Sequence, residues 1–328
     1  MKRIILLCMA AVFLAGTPVF SQVPGAPQLT ELKGAMDEFT ANLAKSLPFN
    51  SSMGLNWSDA YIKNFPHFGA GVSAGYTTMK ADGFIDVLNK FDMSLPSALN
   101  SLGGFPVPGY ALEARLGGFF LPFDMGFKFG IMPLKPANLE QFDYFLIGGD
   151  IRYALVKEKL LLPNISIGIG FNHISGALGM SVGEQRIFNY TDASNDPQTL
   201  TLQKPTVTLD WATSSLDFKA QISKSFVIVT PYLGIGASKG WSRAGYDVKT
   251  DVDDSGHNVE TASQYFHQFG IDEIDLKGFS SVSKFPGWSF RAFGGLSFNA
   301  AILRIDLTGL YNFVDTNYGL SLGIRIQV

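Results

Sequence analysis

The sequence has little of what disulfide-rich domains, metalloenzymes and nucleic-acid-binding proteins depend on. Its 328 residues include one cysteine and four histidines, and the histidines show no metal-ligand spacing, so we predict no disulfide framework, no metal and no cofactor. Charged residues make up only 16% of the chain, and their balance argues against a nucleic-acid partner. Beyond the N-terminus no apolar run reaches the length of a membrane-spanning helix, so the chain could enter a membrane only as a barrel.

The N-terminus has the composition of a secretory signal peptide. A basic pair precedes an apolar run over residues 4–15, and a cleavage site fits before Gln22,. The single cysteine, Cys8, follows Leu7 inside that run, which argues against a lipoprotein. Removal of residues 1–21 leaves 23 basic against 28 acidic side chains, a net charge of −5.

The C-terminal part of the chain alternates apolar and polar side chains with the period of a β-strand. Residues 288–299, 303–311 and 318–328 each place apolar side chains on one face and polar ones on the other,. Each segment has about the ten residues that a tilted strand needs to cross a bilayer. This apolar-out, polar-in pattern is typical of a transmembrane β-barrel, whereas the strands of a soluble sandwich tend to be shorter.

Seven earlier segments show the same pattern: residues 68–78, 110–120, 123–131, 145–153, 164–172, 206–223 and 227–238. The apolar parity of residues 206–223 changes after Trp211, which predicts a β-bulge at residues 212–215. A further hairpin over residues 180–203 either stands above the membrane or raises the strand number. We therefore predict an all-β fold, a transmembrane antiparallel β-barrel of about ten, possibly twelve, strands.

The links between these strands alternate in length, as in outer-membrane barrels with short periplasmic turns and long extracellular loops. Eight aromatic residues have outward parity at strand ends next to the long loops: Tyr76, Tyr110, Phe145, Phe171, Trp211, Trp288, Tyr311 and Tyr318. This placement predicts an interfacial aromatic girdle in contact with outer-membrane lipids.

Residues 22–66 lack alternation and predict one amphipathic helix from Thr30 to about Ser46. Its apolar stripe consists of Leu32, Met36, Phe39 and Leu43,. The helix either lies at the periplasmic rim or plugs the lumen. Inward-facing glycines would leave room for it: Gly69, Gly71, Gly75, Gly168, Gly170, Gly234 and Gly236,. We expect part of residues 29–66 to sit in or cap the periplasmic mouth, which divides the chain into a signal peptide (1–21), a plug or periplasmic segment (22–66) and a barrel (67–328).

Charged residues with inward parity form two groups of alternating sign. They are Glu113, Arg115, Asp124, Lys128, Asp150, Arg152, Asp217, Lys219, Arg291, Arg304, Asp306 and Arg325. One interpretation is that they pair with each other and fill the lumen. The other is a charged constriction that selects solutes.

Three shorter patterns suggest other sites. Phe84, Leu88 and Phe91 have helical spacing within the long loop over residues 79–109 and are candidates for an apolar ligand site,. His173 and Ser175 resemble the catalytic pair of outer-membrane lipid hydrolases but lack a third orienting residue, so we predict that the chain is not an enzyme. Residues 251–256 resemble the start of a calcium loop without its terminal glutamate, which favours a solvated loop tip.

The layout of signal peptide, alternating strands, short turns and terminal strand resembles that of outer-membrane β-barrel proteins of Gram-negative-type bacteria. The resemblance implies insertion by the barrel-assembly machinery, although the last residue, Val328, stands where such proteins usually have an aromatic. A looser similarity is to the long-chain fatty-acid transporters, which place an N-terminal hatch in the lumen and hydrophobic helices in an outer loop. It implies a channel or transporter that passes or binds small apolar or amphipathic solutes; the alternative is a structural or adhesin-like barrel with a closed lumen.

Overall fold

The computed structural model describes residues 27–63, 65–81, 85, 104–118, 121–131, 140–181, 185–191, 197–204, 206–249, 252–254 and 278–328. These residues form helix α1 (Pro27–Ser51) and thirteen strands. The strands are β1 (Phe68–Met79), β2 (Phe105–Gly117), β3 (Phe123–Ile131), β4 (Gln141–Val156), β5 (Asn164–Ser181), β6 (Arg186–Thr191), β7 (Pro197–Leu202), β8 (Thr206–Ser223), β9 (Val229–Lys249), β10 (Val252–Asp254), β11 (Phe279–Ala300), β12 (Leu303–Asn312) and β13 (Tyr318–Gln327).

Ten of these strands close into an antiparallel barrel. Their order around the barrel is β1-β13-β12-β11-β9-β8-β5-β4-β3-β2, so β2 pairs with β1 and completes the ring. The remaining strands β6, β7 and β10 form a separate three-stranded sheet. The predicted ten-stranded barrel is therefore confirmed, and the hairpin over residues 186–202 does not add strands eleven and twelve.

The two faces of the barrel wall differ in the way that the alternation predicts. Large apolar side chains such as Leu307 and Leu322 are exposed on the outside, whereas their polar neighbours Thr308 and Ser321 are buried inside. A wall that is apolar outside and polar inside matches a barrel that meets lipid on its outer surface. Among the described residues, no helix combines the length and the apolar character needed to cross a bilayer.

Strand β8 departs from the sequence-based prediction. It pairs with β5 and β9 without a register shift, so the β-bulge predicted at residues 212–215 is wrong. Residues with odd numbers face inward along the whole strand, and Leu209 and Trp211 pack against the apolar cluster around helix α1. Trp211 therefore does not belong to the outer aromatic girdle, since it packs, partly buried, against the inner apolar cluster.

The barrel wall is uneven in height. Strands β9 and β11 have 21 and 22 residues, whereas β12 and β13 have ten each. Strand β9 begins directly after the short link at residues 224–228, and strand β11 ends directly before the short link at residues 301–302. Because these links fix one end of the barrel, the additional residues of β9 and β11 project at the other, long-loop end, beyond the length that crosses a bilayer.

Helix α1 and the residues after it lie inside the ring of strands. The Phe39 ring meets Phe105 at 5.4 Å between centroids, in the part of the barrel next to the long loops. At the opposite end, the Phe65 amide donates to the Gly118 carbonyl at 3.0 Å, beside a short turn. The helix stripe thus lies in the long-loop half of the barrel, and the helix continues five residues past Ser46. Of residues 29–66, part of which was expected at the periplasmic mouth, Ile62 and Phe65 lie at the short-turn end.

Candidate functional site in the barrel lumen

The predicted inward charges do line the lumen. Eleven of the twelve are buried, and the remaining one, Arg304, is partly exposed near the short-turn end. The strand alternation places them there because successive side chains point to opposite faces of the wall. What the sequence left open is how these charges are neutralised.

One ion-pair cluster joins strands β2, β3, β4 and β8. The Arg115 guanidinium lies 2.6 Å from Asp124 and 2.7 Å from Asp150, and Arg152 lies 2.8 Å from the second oxygen of Asp124. Lys219 pairs with Asp150 from across strand β5. Each carboxylate is thus held between two cations, which is the geometry that makes a buried ion pair tolerable.

A second set of pairs joins strands β8, β9, β11, β12 and β13. Arg291 forms a two-pronged contact with Asp217, at 2.7 and 2.9 Å, and the Ser238 hydroxyl donates to the same carboxylate at 2.6 Å. Arg325 on β13 pairs with Asp306 on β12 at 2.6 Å. These pairs fit the interpretation in which the lumen charges neutralise one another.

The residues that follow helix α1, here called the inner segment (residues 52–62), supply further charged and aromatic partners. Asp59 accepts from Arg325 at 3.2 Å. The Trp57 indole donates to the buried Glu113 carboxylate at 2.5 Å, and the Arg325 guanidinium lies 4.5 Å from the centre of the Trp57 ring. Trp57 therefore connects an acidic and a basic side chain of the barrel wall.

The backbone of the inner segment is held by polar side chains from the wall. Lys128 donates to the carbonyls of Ser51 and Met53, Lys219 to Leu55, Gln221 to Trp57, Arg152 to Asp59 and Ser166 to Ala60, all at 2.5–3.1 Å. The amides of Ala60 and Ile62 donate to Ser223 and Asp124, both at 2.9 Å. A segment without regular structure can be buried here because the wall replaces the hydrogen bonds of a helix or sheet.

Two small cavities lie between the wall and the inner segment. One cavity, lined in part by Trp57, Glu113 and Arg325, has a volume of about 20 Å³, and a second, near Asp150 and Lys219, has about 10 Å³. A single water needs about 10–15 Å³. Each cavity can therefore hold about one water and no solute.

Some inward glycines provide the room for this arrangement. A side chain at Gly69 would meet the Trp57 ring at 2.8 Å, one at Gly109 would meet Met53 at 2.8 Å, and one at Gly240 would meet Pro48 at 2.2 Å. In contrast, Gly234 and Gly236 face Phe293 and Arg291 of the wall itself. The predicted glycine rows thus make room both for the inner chain and for side chains of neighbouring strands. At Gly69 the two nearest atoms belong to Trp57 and not to the helix stripe.

The long-loop half of the lumen is apolar. Phe39 and Leu43 of the stripe are buried in one cluster with Leu47, and wall residues close around them: Met79, Ala81, Phe105, Val107, Leu209, Trp211, Ala244 and Phe285. Met36 is buried as well. The side chain of Leu32 and the loop residues Phe84, Leu88 and Phe91 lie outside the described residues, so their role as a ligand site stays a prediction.

The structure does not bring together the residues of the histidine–serine pattern, and it describes only part of the calcium-loop pattern. His173 Nδ1 lies 2.9 Å from the Ser214 hydroxyl on β8, so its partner on the outer face is not Ser175. The calcium-loop residues Asp251, Ser255 and Gly256 lie outside the described part of the chain. Within the residues that the structure describes, no three His, Cys, Asp or Glu side chains are grouped to hold a metal ion.

Sequence reasoning missed the inner segment as a functional element. Residues 52–62 show neither period of a strand nor of a helix, and their partners lie far away in sequence: Glu113 for Trp57, Arg325 for Asp59 and Gln221 for the Trp57 carbonyl. The available signal was compositional, since the segment contains Met53, Leu55, Trp57, Tyr61 and Ile62, whereas flexible linkers are rich in glycine and serine.

No protein-family model and no curated protein matches the chain. Among solved structures, the translocator domain of the autotransporter NalP from Neisseria meningitidis is 7% identical over 90% of this chain and 97% of that one, with a TM-score of 0.29. Ail of Yersinia pestis, solved with sucrose octasulfate, is 10% identical over 80% and 97%, with a TM-score of 0.24. A FadL homologue of Pseudomonas aeruginosa is 9% identical over 80% and 88%, with a TM-score of 0.22.

These matches are too distant to carry an argument about function. The architecture follows from the chain itself: ten strands close into a barrel with an apolar outer face. This is the construction of a bacterial outer-membrane β-barrel.

Proposed function

We propose that the protein is an outer-membrane barrel with a closed lumen that acts as a structural or adhesive protein through its long-loop end. The observation that carries this proposal is the filling of the lumen by helix α1 and the inner segment. Wall charges that could guide a solute are instead paired with each other or bonded to the inner segment, as for Asp124, Asp150 and Asp217.

The hydrogen bonds of the inner segment favour the closed state. Lys128, Arg152 and Lys219 each donate a charged hydrogen bond to its carbonyls or to the end of helix α1. A hydrogen bond to a charged group contributes about 1.5–3 kcal/mol. Several of them together make spontaneous release of the segment rare.

The height of the wall supports a role at the cell surface. Strands β9 and β11 extend past the length needed to cross a bilayer, and a separate sheet of β6, β7 and β10 adds to the structure outside the barrel. A channel does not require such a projection. A surface that contacts a matrix or another cell does need area beyond the membrane.

Conductance in planar bilayers tests the proposal. The purified full-length protein should be silent, whereas deletion of residues 27–63 should give a conducting barrel. A matched deletion of residues 32–46 removes most of the helix but keeps the inner segment, so it should stay silent. Steady conductance of the full-length protein would overturn the closed lumen.

A second candidate, binding of an apolar or amphipathic molecule, is favoured by the lining of the long-loop half. Phe105, Leu209, Trp211 and Phe285 face the helix stripe there and would form an apolar pocket if the helix moved,. A fluorescent fatty acid should then bind the variant that lacks residues 32–46, and Leu209→Asp in that variant should weaken the binding. Equal affinity of both variants would remove this candidate.

A further inference from the structure

The direction in which the chain runs through the barrel is fixed at both ends. At the short-turn end, the Ile62 amide donates to Asp124 at 2.9 Å and the Phe65 amide to Gly118 at 3.0 Å. Gly118 is the first residue of the short link between β2 and β3, and Asp124 is the second residue of β3. Ile62 and Phe65 therefore lie at the mouth where the short turns are.

The earlier part of the same chain lies at the other mouth. The Tyr246 hydroxyl donates to Asp37 at 2.9 Å, and Tyr246 is close to the long-loop end of β9. The hydroxyls of Thr40 and Ser283 lie 3.4 Å apart, and Ser283 is close to the long-loop end of β11. The chain thus enters the barrel from the long-loop end and leaves it at the short-turn end.

The helix carries its N-terminal end well away from the centre of the barrel. Ser51, its last residue, contacts Ser215 in the middle of β8 at 2.9 Å. Its 25 residues span roughly 36 Å at 1.5 Å per residue. Starting from mid-barrel, this length exceeds the half-thickness of a bilayer core of about 30 Å.

From this geometry we infer a further function: the barrel displays the N-terminal end of helix α1 on the cell surface. Short turns of outer-membrane barrels face the periplasm and long loops face the outside. The predicted signal peptide would deliver the chain to the periplasm, so the N-terminal end would then cross the outer membrane through the barrel that the same chain forms.

The displayed end offers accessible positions. Lys33 and Glu38 are exposed, whereas Ala35, Met36 and Phe39 on the other side of the helix are buried against the wall. The buried side holds the helix in place, and the exposed side is free to meet a partner outside the cell. Sequence placed ahead of Pro27 would be presented in the same way.

Thiol labelling of intact cells tests the inference. The only native cysteine lies in the predicted signal peptide, so Lys33→Cys and Glu38→Cys each provide a single mature thiol at an exposed position. Leu160→Cys is the matched control, since Leu160 is 93% exposed in the short link between β4 and β5. A membrane-impermeant maleimide should label the two helix variants on intact cells and Leu160→Cys only after the outer membrane is permeabilised.

Labelling of Lys33→Cys and Glu38→Cys only after permeabilisation would overturn the inference. An unchanged heat-dependent gel shift of each variant shows that the barrel has folded. The labelling result is independent of the conductance measurement. If the protein conducts but Lys33→Cys is labelled on intact cells, the closed lumen is disproved and the inference of surface display still holds. Antibody binding to an epitope inserted ahead of Pro27 should follow the same pattern as Lys33→Cys.

Discussion

The short-turn half of the lumen is filled by irregular backbone and charges, whereas the long-loop half is filled by one face of a helix. In the first half, wall side chains such as Lys128 and Arg152 bind carbonyl oxygens directly. In the second, Phe39 and Leu43 pack against apolar wall residues. The same barrel thus holds one continuous chain by two different kinds of interaction.

The two halves should differ in what they contribute. Charged hydrogen bonds depend on direction, so they fix the path of the inner segment residue by residue. Apolar packing is less directional and tolerates repacking. We therefore expect the short-turn half to provide the seal and the long-loop half to hold a helix that can be altered with smaller consequences.

The largest effect is expected from the polar half. Asp124→Ala would leave the buried guanidinium groups of Arg115 and Arg152 without a shared partner, at a cost of about 3–5 kcal/mol. Unfolding in guanidinium chloride, followed by the heat-dependent gel shift, measures the loss. Asp210→Ala breaks the exposed pair with Arg243 and should cost about 0–1 kcal/mol. Similar losses for both variants would contradict the role of the buried cluster.

The outer wall should respond nearly as strongly. Leu307 and Leu322 are Cα partners on β12 and β13 and both face outward, so arginine at either should cost about 2–4 kcal/mol near mid-bilayer. The measurement is the yield of heat-modifiable barrel after refolding into lipid vesicles. Leu160→Arg, in an exposed short link, should refold normally; full insertion of both strand variants would mean that these positions do not face lipid.

The apolar half should be affected less. Leu43→Ala removes a buried side chain from the cluster with Phe39 and Val107, and such truncations cost about 2–5 kcal/mol in a rigid core. Because the helix can shift within an apolar site, we expect a loss of about 2 kcal/mol in the free energy of unfolding. The variant should remain silent in planar bilayers, since the inner segment is unchanged. If the Leu43→Ala protein conducts, the helix and not the inner segment closes the lumen.

The wall and the lumen filling differ in how well the sequence predicts them. The wall was predictable because alternation acts on every strand: ten strands and the inward charges such as Glu113 and Asp306 follow from period two alone,. Strand β8 was misjudged because its inward face is polar at Asp217 and apolar at Trp211, where it meets the helix. The path of residues 52–62 was not predictable, since it depends on partners that only barrel closure brings near.

The smallest effect should come from the point where the two halves meet. Pro48, near the end of helix α1, lies over Gly240 on β9, and a Cβ atom at Gly240 would be 2.2 Å from the proline ring. Gly240→Ala should therefore push the helix away from the wall, and because the helix can shift we expect about 1 kcal/mol, the low end of the cost of overpacking. Gly309→Ala is the matched control on the outer face, because its nearest neighbour atom would be 3.8 Å away. Melting temperatures of the two variants in detergent provide the measurement. If Gly240→Ala has the same melting temperature as Gly309→Ala and the wild type, the helix is not held at its C-terminal end. The inner segment alone would then position the chain in the lumen.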